Sequence, residues 1–398
     1  MPADVLLLGS YGLAGRAILD ALLARGLSVV AAGRRIGPLR EAVAGAVHSR
    51  GRGPEPSVSA MAIDAARPED VAAGLARCRV VVNAVGPYLL YGRRIADQAR
   101  SAGVHYLDIA SEDEHRRRLA ASGHGRPAGR TSVVGTGWGL YPGVSGLAAD
   151  HLLRQVERPR SVEVWLAMGA NPAGGGTAQT LTGILEMAHP LREMRGGRWR
   201  RVVPGTTVTR MMPAPFGAQS VMVWPQLEVP VLAGRYDLRD ARSGISAHGQ
   251  TVPRWYHAAV VRLLRPDLMA WSRRLLQRIA HASASTTTSD PTPTAADAGS
   301  GARDGEGGPQ GAVVQVRIRG RHETRDGWIR SDDTERATAV LPALAAEMLL
   351  RGTVPGSDRG RSVVTPLEVL SLTDILPALR AAGVDLGGDL PGGDERRE

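Results

Sequence analysis

The sequence predicts an α/β protein: a Rossmann-type doubly wound parallel sheet followed by a second, α+β domain. Three observations carry this. In the first 145 residues, short β-branched or leucine-rich runs alternate with alanine-rich stretches, the written form of parallel strands joined by crossover helices. The runs are continuously apolar, as in Val80-Val81-Val82, which strands covered on both faces require. After Gly146 the alternation stops. At roughly 150 residues per domain, 398 residues hold two or three domains and enough chain for a sizeable core.

Taken in order, strands are expected at 5–8, 28–32, 58–63, 80–84, 106–109 and 132–136. Helices are expected near 14–25, 38–46, 68–76, 93–102 and 112–121. The division is 1–145 for the nucleotide domain, 146–365 for the α+β domain and 366–398 for a C-terminal helical segment. In the second domain the run Val162 to Met168 reads as a strand, Gly174 to Gly176 as a turn and Ala178 to Ala188 as a helix. Leu264, Leu268, Trp271, Leu275 and Ile279 recur at helical spacing within 254–280, and Pro266 divides that helix in two. Residues 282–311 are Ser, Thr, Pro, Gly, Ala and Asp with almost nothing large and apolar, so a disordered insertion is expected there. The alternation in Val313 to Ile318 predicts a half-exposed strand, Asp326-Gly327 a hairpin turn into Trp328 and Ile329, and Leu341 to Leu350 a helix with Pro342 in its first turn.

All 49 residues of the Lys+Arg count are arginine, and 39 acids leave a formal net charge of +10. The absence of lysine excludes a Schiff-base lysine, a pyridoxal phosphate linkage, a Walker lysine and a Tyr/Lys reductase pair. No nucleic-acid motif accompanies the charge, so no nucleic-acid partner is expected. Cys78 is the one cysteine, which rules out a disulfide within the chain and fits a reducing, cytoplasmic setting. Neither a secretory signal nor a spanning run of about 18 apolar residues is present. The basic amphipathic stretch 254–278 reads either as a helix covering the second sheet or as a membrane-surface helix, the former being preferred.

The first strand runs directly into Gly9-Ser10-Tyr11-Gly12-Leu13-Ala14-Gly15. Glycine at the first position allows a tight turn, at the second the approach of backbone N–H groups to a pyrophosphate, and at the third close packing of helix on strand. One loop among 49 glycines says little; with a strand before it, a helix after it and a sheet pattern downstream, it predicts dinucleotide binding. The second strand ends Ala32-Gly33-Arg34-Arg35 where an NAD enzyme carries an acid. A guanidinium pairs with a 2′-phosphate that a carboxylate would repel, so NADP is expected, with Arg34 the better candidate and Arg35 either a second contact or a surface arginine. Asp64, closing the third strand, touches the adenine or caps the following helix.

Asn83-Ala84-Val85-Gly86-Pro87-Tyr88, Gly103 to Asp108 and Glu112 complete a pattern that resembles the saccharopine dehydrogenase-like oxidoreductases. Further matches are Gly9 to Arg16, Gly33-Arg34, Pro142-Gly143, Gly175-Gly176-Thr177 and Thr365-Pro366. The resemblance implies an NADP-binding domain followed by a smaller mixed domain, and oxidation or reduction at a carbon–nitrogen or carbon–carbon bond. The lysine-free chain and its insertion depart from that pattern.

Ligands of open α/β sheets lie beyond the carboxyl ends of the strands, where 83–88 and 108–112 fall. Gly86 lets a nicotinamide approach the backbone, Pro87 fixes the turn, and Tyr88 supplies a hydroxyl near the hydride path or packs between domains. Asp108 orients a substrate amine, acts as an acid, or is bonded to nearby amides. Tyr141, where the domains join, is the second candidate donor. His105 reads as a strand-edge histidine, and Ser111 with Glu114 as a capping box. Gly176 and Thr177 would meet a substrate carboxylate, or turn the chain. No Gly-x-Ser-x-Gly elbow, His-Glu-x-x-His motif or paired metal-ligand spacing is present. The expectation is an NADP-dependent reductase of an imine or activated alkene in a small-molecule substrate. The other reading is a non-catalytic NADP-binding redox sensor. A homodimer is compatible with the sequence, which specifies no interface for it.

Overall fold

The structure, a computed structural model, describes residues 2–48, 57–122, 132–169, 191–203, 206–247, 309–353 and 363–392. The expected features at 174–188 and 254–280, most of the 282–311 insertion, and Gly176 and Thr177 with them, lie outside these residues.

The first half alternates strand and helix: β1 (Ala3–Leu8), α1 (Leu13–Ala24), β2 (Val29–Gly33), α2 (Ile36–His48), β3 (Val58–Ala62), α3 (Pro68–Leu75), β4 (Cys78–Asn83), α4 (Tyr88–Ala102), β5 (His105–Asp108), α5 (Asp113–Ala121) and β6 (Val134–Gly135). The six strands pair in parallel in the order β3-β2-β1-β4-β5-β6. Successive strand residues point to opposite faces. Val5, Leu7, Val80 and Val82 therefore join one core with α1, while Leu6, Leu8 and Val81 join another with Ile95, Ala99 and Leu119. Strand order reverses between β1 and β4, and the crevice at their carboxyl ends is the topological switch point of such a sheet.

The second half contains α6 (Val144–Leu153), β7 (Ser161–Met168), β8 (Arg192–Arg195), β9 (Arg198–Arg201), β10 (Thr207–Met212), β11 (Gly217–Val223), α7 (Glu228–Tyr236), β12 (Asp240–Ala247), β13 (Ala312–Arg319), β14 (Thr324–Ser331), α8 (Thr334–Leu350), α9 (Pro366–Val369), α10 (Leu372–Ala381) and β15 (Val384–Gly388). Among the described residues these strands form a nine-stranded mixed sheet, β10-β11-β12-β7-β13-β14-β15, with β8 joining β12 and β9 joining β8. Val162, Val164, Val314 and Val316 of this sheet share a core with α6, α8 and one face of the first sheet.

Four expectations are corrected. Asp326-Gly327 is not the hairpin turn. Arg319 pairs with Thr324, and the chain turns at Gly320, whose N–H donates to Glu323 O at 2.9 Å. Gly327 sits inside β14 because a Cβ there would meet Leu390 at 2.6 Å and Leu152 at 3.2 Å, so packing requires the glycine. The helix expected from Leu341 begins at Thr334, where the Asp333 carboxylate accepts from Arg336 N–H at 2.8 Å; Pro342 therefore lies in its interior. The segment 366–398, expected to be helical, contributes β15, which pairs antiparallel with β14. Finally, α4 starts at Tyr88 rather than near 93, which places Tyr88 in its first turn.

The two halves also interlock. α8 packs on α1, where Arg25 is ion-paired with Glu347, and Val364 exchanges backbone hydrogen bonds with the β6 region. A boundary drawn at residue 145 and again at 365 thus assigns to the second domain a helix that covers the first sheet.

Candidate functional site

The loop between β1 and α1 is built from glycines at positions where nothing else fits. Gly9 has φ +85°, and a Cβ on it would lie 3.0 Å from Ala84 O; a Cβ on Gly15 would lie 2.0 Å from Gly9 O. The strand, the loop and α1 are thereby in contact along their main chains. Gly12 N–H bonds to Gly9 O, and the first helical bond is Arg16 N–H to Gly12 O. The amides between them, at Leu13, Ala14 and Gly15, have no carbonyl partner among the described residues. Gly12 provides no side-chain cap, and the first turn of α1 holds no acid. Such a helix start has the amides and the dipole that suit an anion.

Ser10, which sequence reasoning passed over, fixes the loop from below. It is fully buried, donates to Leu7 O at 2.7 Å and accepts from Ala32 N–H at 3.0 Å, tying β1 to β2. At the end of β2 both Arg34 and Arg35 are exposed, and neither has an ion-pair partner among the described residues. Asp64 is half-buried; its Oδ1 accepts from Ala66 N–H at 2.9 Å, so it shapes the turn into α3.

At the carboxyl end of β4, Asn83 is fully buried. Its Nδ2 donates to the Tyr106 hydroxyl at 3.1 Å and its Oδ1 accepts from Val85 N–H at 3.0 Å, which closes the loop carrying Ala84, Gly86 and Pro87. Gly86-Pro87 is a cis peptide. Tyr88 follows, half-buried, with its hydroxyl 3.4 Å from Asn83 O and its ring tilted against His115.

Asp108 lies beside Asn83 in the sheet register and is fully buried. Its Oδ1 accepts from Thr136 Oγ1 at 2.6 Å, Ala110 N–H at 3.1 Å and Gly137 N–H at 3.3 Å, and its Oδ2 faces His115 Nε2 at 2.8 Å. Burial alone would raise this carboxyl, but the His115 ring, the Thr136 hydroxyl and the Ala110 amide outweigh it and hold it below the usual Asp range. A carboxylate so fully engaged is an architectural anchor. His115 owes its place to Gly92, where a Cβ would come within 2.4 Å of the ring.

Tyr141 is equally committed. Its hydroxyl lies 2.9 Å from Gly244 O and 3.2 Å from Val164 O, on β12 and β7. Burial, then the nearby Glu228 charge, pushes its pKa well above the ordinary phenol. The site thus brings together Asn83, Tyr88 and Asp108 at adjacent strand ends and leaves Tyr141 bonded into the second sheet. The acid run at α5 differs from the expected capping box: Glu112 accepts from Ser111 N–H at 2.7 Å, while Glu114 pairs with Arg117 and Arg118. His105 Nδ1 accepts from Val133 N–H at 3.0 Å, a strand-edge role.

Sequence reasoning also missed Glu228. It is 1% exposed at the start of α7, with its Oε2 accepting from Ser145 Oγ at 2.7 Å and its charged carboxyl group favoured by the nearby Gly143 and Gly146 amides. Burial pushes its pKa up to about 7 against those hydrogen bonds. Its Oε1 has no partner among the described residues. No local sequence signal marks it, because its partners lie more than 80 residues earlier. Among the described residues no cluster of His, Cys, Asp and Glu could hold a metal ion, and no helix is long and apolar enough to cross a membrane.

Residues 5–128 match the family model described as the saccharopine dehydrogenase NADP binding domain. Residues 5–128, about a third of the chain, are thus similar to the NADP-binding domain of saccharopine dehydrogenases. A probable mitochondrial saccharopine dehydrogenase-like oxidoreductase of Arabidopsis thaliana is 26% identical over 217 residues, covering 50% of this chain and 47% of that protein. A lipid droplet localized protein of Caenorhabditis elegans is 26% identical over 212 residues, covering 50% and 49%. The match thus spans about half the length of each curated relative. Saccharopine dehydrogenase (L-Glu forming) of Saccharomyces cerevisiae superposes over 98% of this chain and 100% of its own with a TM-score of 0.59 at 14% identity, so the saccharopine dehydrogenase fold extends through the second sheet. The loop fits the coenzyme of the family model: its glycines let strand, loop and helix meet main chain to main chain, the amides of Leu13, Ala14 and Gly15 have no carbonyl partner among the described residues, and cations rather than an acid follow β2.

Proposed function

We propose that this chain is an NADP(H)-dependent oxidoreductase that reduces a C=N (imine) or activated C=C bond of a small metabolite, with the second sheet walling the substrate site. The observation that carries the reading is the glycine loop 9–15, which starts α1 with carbonyl-free amides and without any capping side chain or acid in the first turn. The amides of Leu13, Ala14 and Gly15 would hold the diphosphate, the arginine pair Arg34-Arg35 at the end of β2 would meet the 2′-phosphate, and the Asn83–Pro87 loop would receive the nicotinamide end. When bound, the coenzyme supplies the hydride.

The chain's own groups bind, orient and protonate. The Asn83 hydrogen bonds hold the 83–87 loop in one conformation and so fix where a planar ring meets it. Of the three candidate donors, Asp108 is fully buried and Tyr141 is bonded into the second sheet, whereas Tyr88 is half-buried in the first turn of α4, directly after the loop that would receive the nicotinamide. Tyr88 is therefore assigned as the group that gives a proton to the reduced substrate.

The test is loss of reduced-coenzyme absorbance in the presence of panels of cyclic imines and enoyl thioesters. Turnover is expected with a member of one panel. Tyr88→Phe should slow it by about a hundredfold with NADPH affinity retained. No NADPH oxidation in either panel, or a Tyr88→Phe enzyme as fast as the native one, would overturn the respective assignment.

A further inference from the structure

We infer that Tyr11 and Arg35 form a preset fork for the coenzyme's 2′-phosphate, Tyr11 acting as a specificity-determining positioning residue. This rests on the NADP reading above and changes where its specificity resides. The sequence makes Arg34 the better candidate and leaves Arg35 open as a surface arginine; the geometry favours Arg35.

The Tyr11 ring lies against Gly33, where a Cβ would come within 2.3 Å of Cε1 and 2.8 Å of Cδ1. Gly33 is thus the seat of an aromatic ring, a reason for glycine at the end of β2 that is independent of backbone conformation. The ring also packs on the core beneath the loop, and the Tyr11 carbonyl accepts from Arg16 Nε at 3.2 Å. Tyr11 is therefore held on both its side chain and its main chain.

Over that ring stands the Arg35 guanidinium, its carbon 5.7 Å from the ring centroid. At this distance the cation is attracted by the ring face. Attraction to the ring engages no N–H donor in a hydrogen bond, so the guanidinium keeps its donors for a bidentate acceptor such as a phosphate. Neither Arg35 nor Arg34 has a carboxylate partner among the described residues, and the first turn of α2 holds no acid. Asp64 at the end of the next strand directs one oxygen into its own turn. The charge at this end of the sheet is thus uncompensated and half of it is held in place. A guanidinium already held over an aromatic ring loses less side-chain freedom on binding than the neighbouring Arg34, so more of its attraction appears as affinity.

The experiment is calorimetric titration of the full chain with 2′,5′-ADP and with 5′-ADP, which differ by the phosphate in question. Native protein should prefer 2′,5′-ADP. Arg35→Ala and Tyr11→Leu should each weaken 2′,5′-ADP by roughly tenfold while 5′-ADP changes by less than about twofold. Tyr11→Phe keeps the ring and should match the native protein for both probes. The Tyr11→Leu/Arg35→Ala double variant should be no weaker than Arg35→Ala, because the two act as one unit, and Arg34→Ala should have the smaller effect. Tyr11→Leu and Arg35→Ala proteins that bind 2′,5′-ADP like the native one, or that lose both probes equally, would overturn the inference and leave the NADP reading standing. Native protein that binds neither probe would overturn both.

Discussion

Two buried carboxylates hold opposite ends of the segment that joins the two sheets, and they do so by different chemistry. Asp108 grips its start through the Thr136 hydroxyl and the Gly137 amide, with the His115 ring on its other oxygen. Glu228 grips its end through Ser145 and the amides of Gly143 and Gly146, at the start of α6, where Gly143 has no side chain to serve as a cap. Asp108 has a partner ring and lies below its ordinary pKa; Glu228 has no ion-pair partner among the described residues and lies near 7. Burial penalises charge equally in kind at both places, so the partners at the second oxygen decide the outcome. The anchor on the nucleotide side is permanent at neutral pH, and the one on the side of the second sheet is poised to titrate.

The contrast is most severely tested by Asp108→Asn. Removing the charge facing His115 should cost about 3–5 kcal/mol, read as a lower urea midpoint; a loss below about 1 kcal/mol would mean that the pair is no anchor.

Next comes pH. The folded pKa of Glu228 is raised above its ordinary value of 4.5, so its contribution is fully present below about pH 4.5 and is lost as pH rises through about 7. Between those limits native stability should fall, relative to Glu228→Gln, by on the order of 3 kcal/mol. Asp108 has the opposite sign: its contribution is present above its ordinary pKa of 3.8 and is lost on acidification through its lower folded value. Parallel stability–pH curves for native protein and Glu228→Gln would remove the distinction between the two clamps.

Two smaller changes sharpen it. Gly146→Ala puts a methyl 3.1 Å from Glu228 Oε2 and should destabilise by about 1–2 kcal/mol. Tyr141→Phe leaves two strand carbonyls without the hydroxyl and should cost about 1 kcal/mol with NADPH binding intact. A collapse of coenzyme binding in Tyr141→Phe would return Tyr141 to the active site.

The same contrast explains what was legible in the sequence. The first sheet was readable because each strand is a continuous apolar run between helices of local periodicity, and the phosphate loop because its contacts lie within a few residues. The anchors were not. Asp108 depends on Thr136, 28 residues on; Tyr141 on Gly244, 103 residues on; and Glu228 on Ser145, 83 residues back. Each residue type was ambiguous alone, and only folding supplies the partner that decides its role. The misplaced hairpin turn has a related cause: Asp-Gly is a good turn signal, but Gly327 answers to Leu390, 63 residues away. Pro342 misled in turn because Asp333, a stronger local start signal, lies nine residues before it.

On the proposed reading, the glycine loop after β1 holds the coenzyme's diphosphate. The most direct test is calorimetric titration of the full chain with NADPH and NADH under identical salt. Saturable binding of NADPH, tighter than NADH by at least about tenfold, is the expected result. Equal affinity for the two would contradict the role of the arginines at the end of β2, and no binding of either would contradict the role of the glycine loop itself.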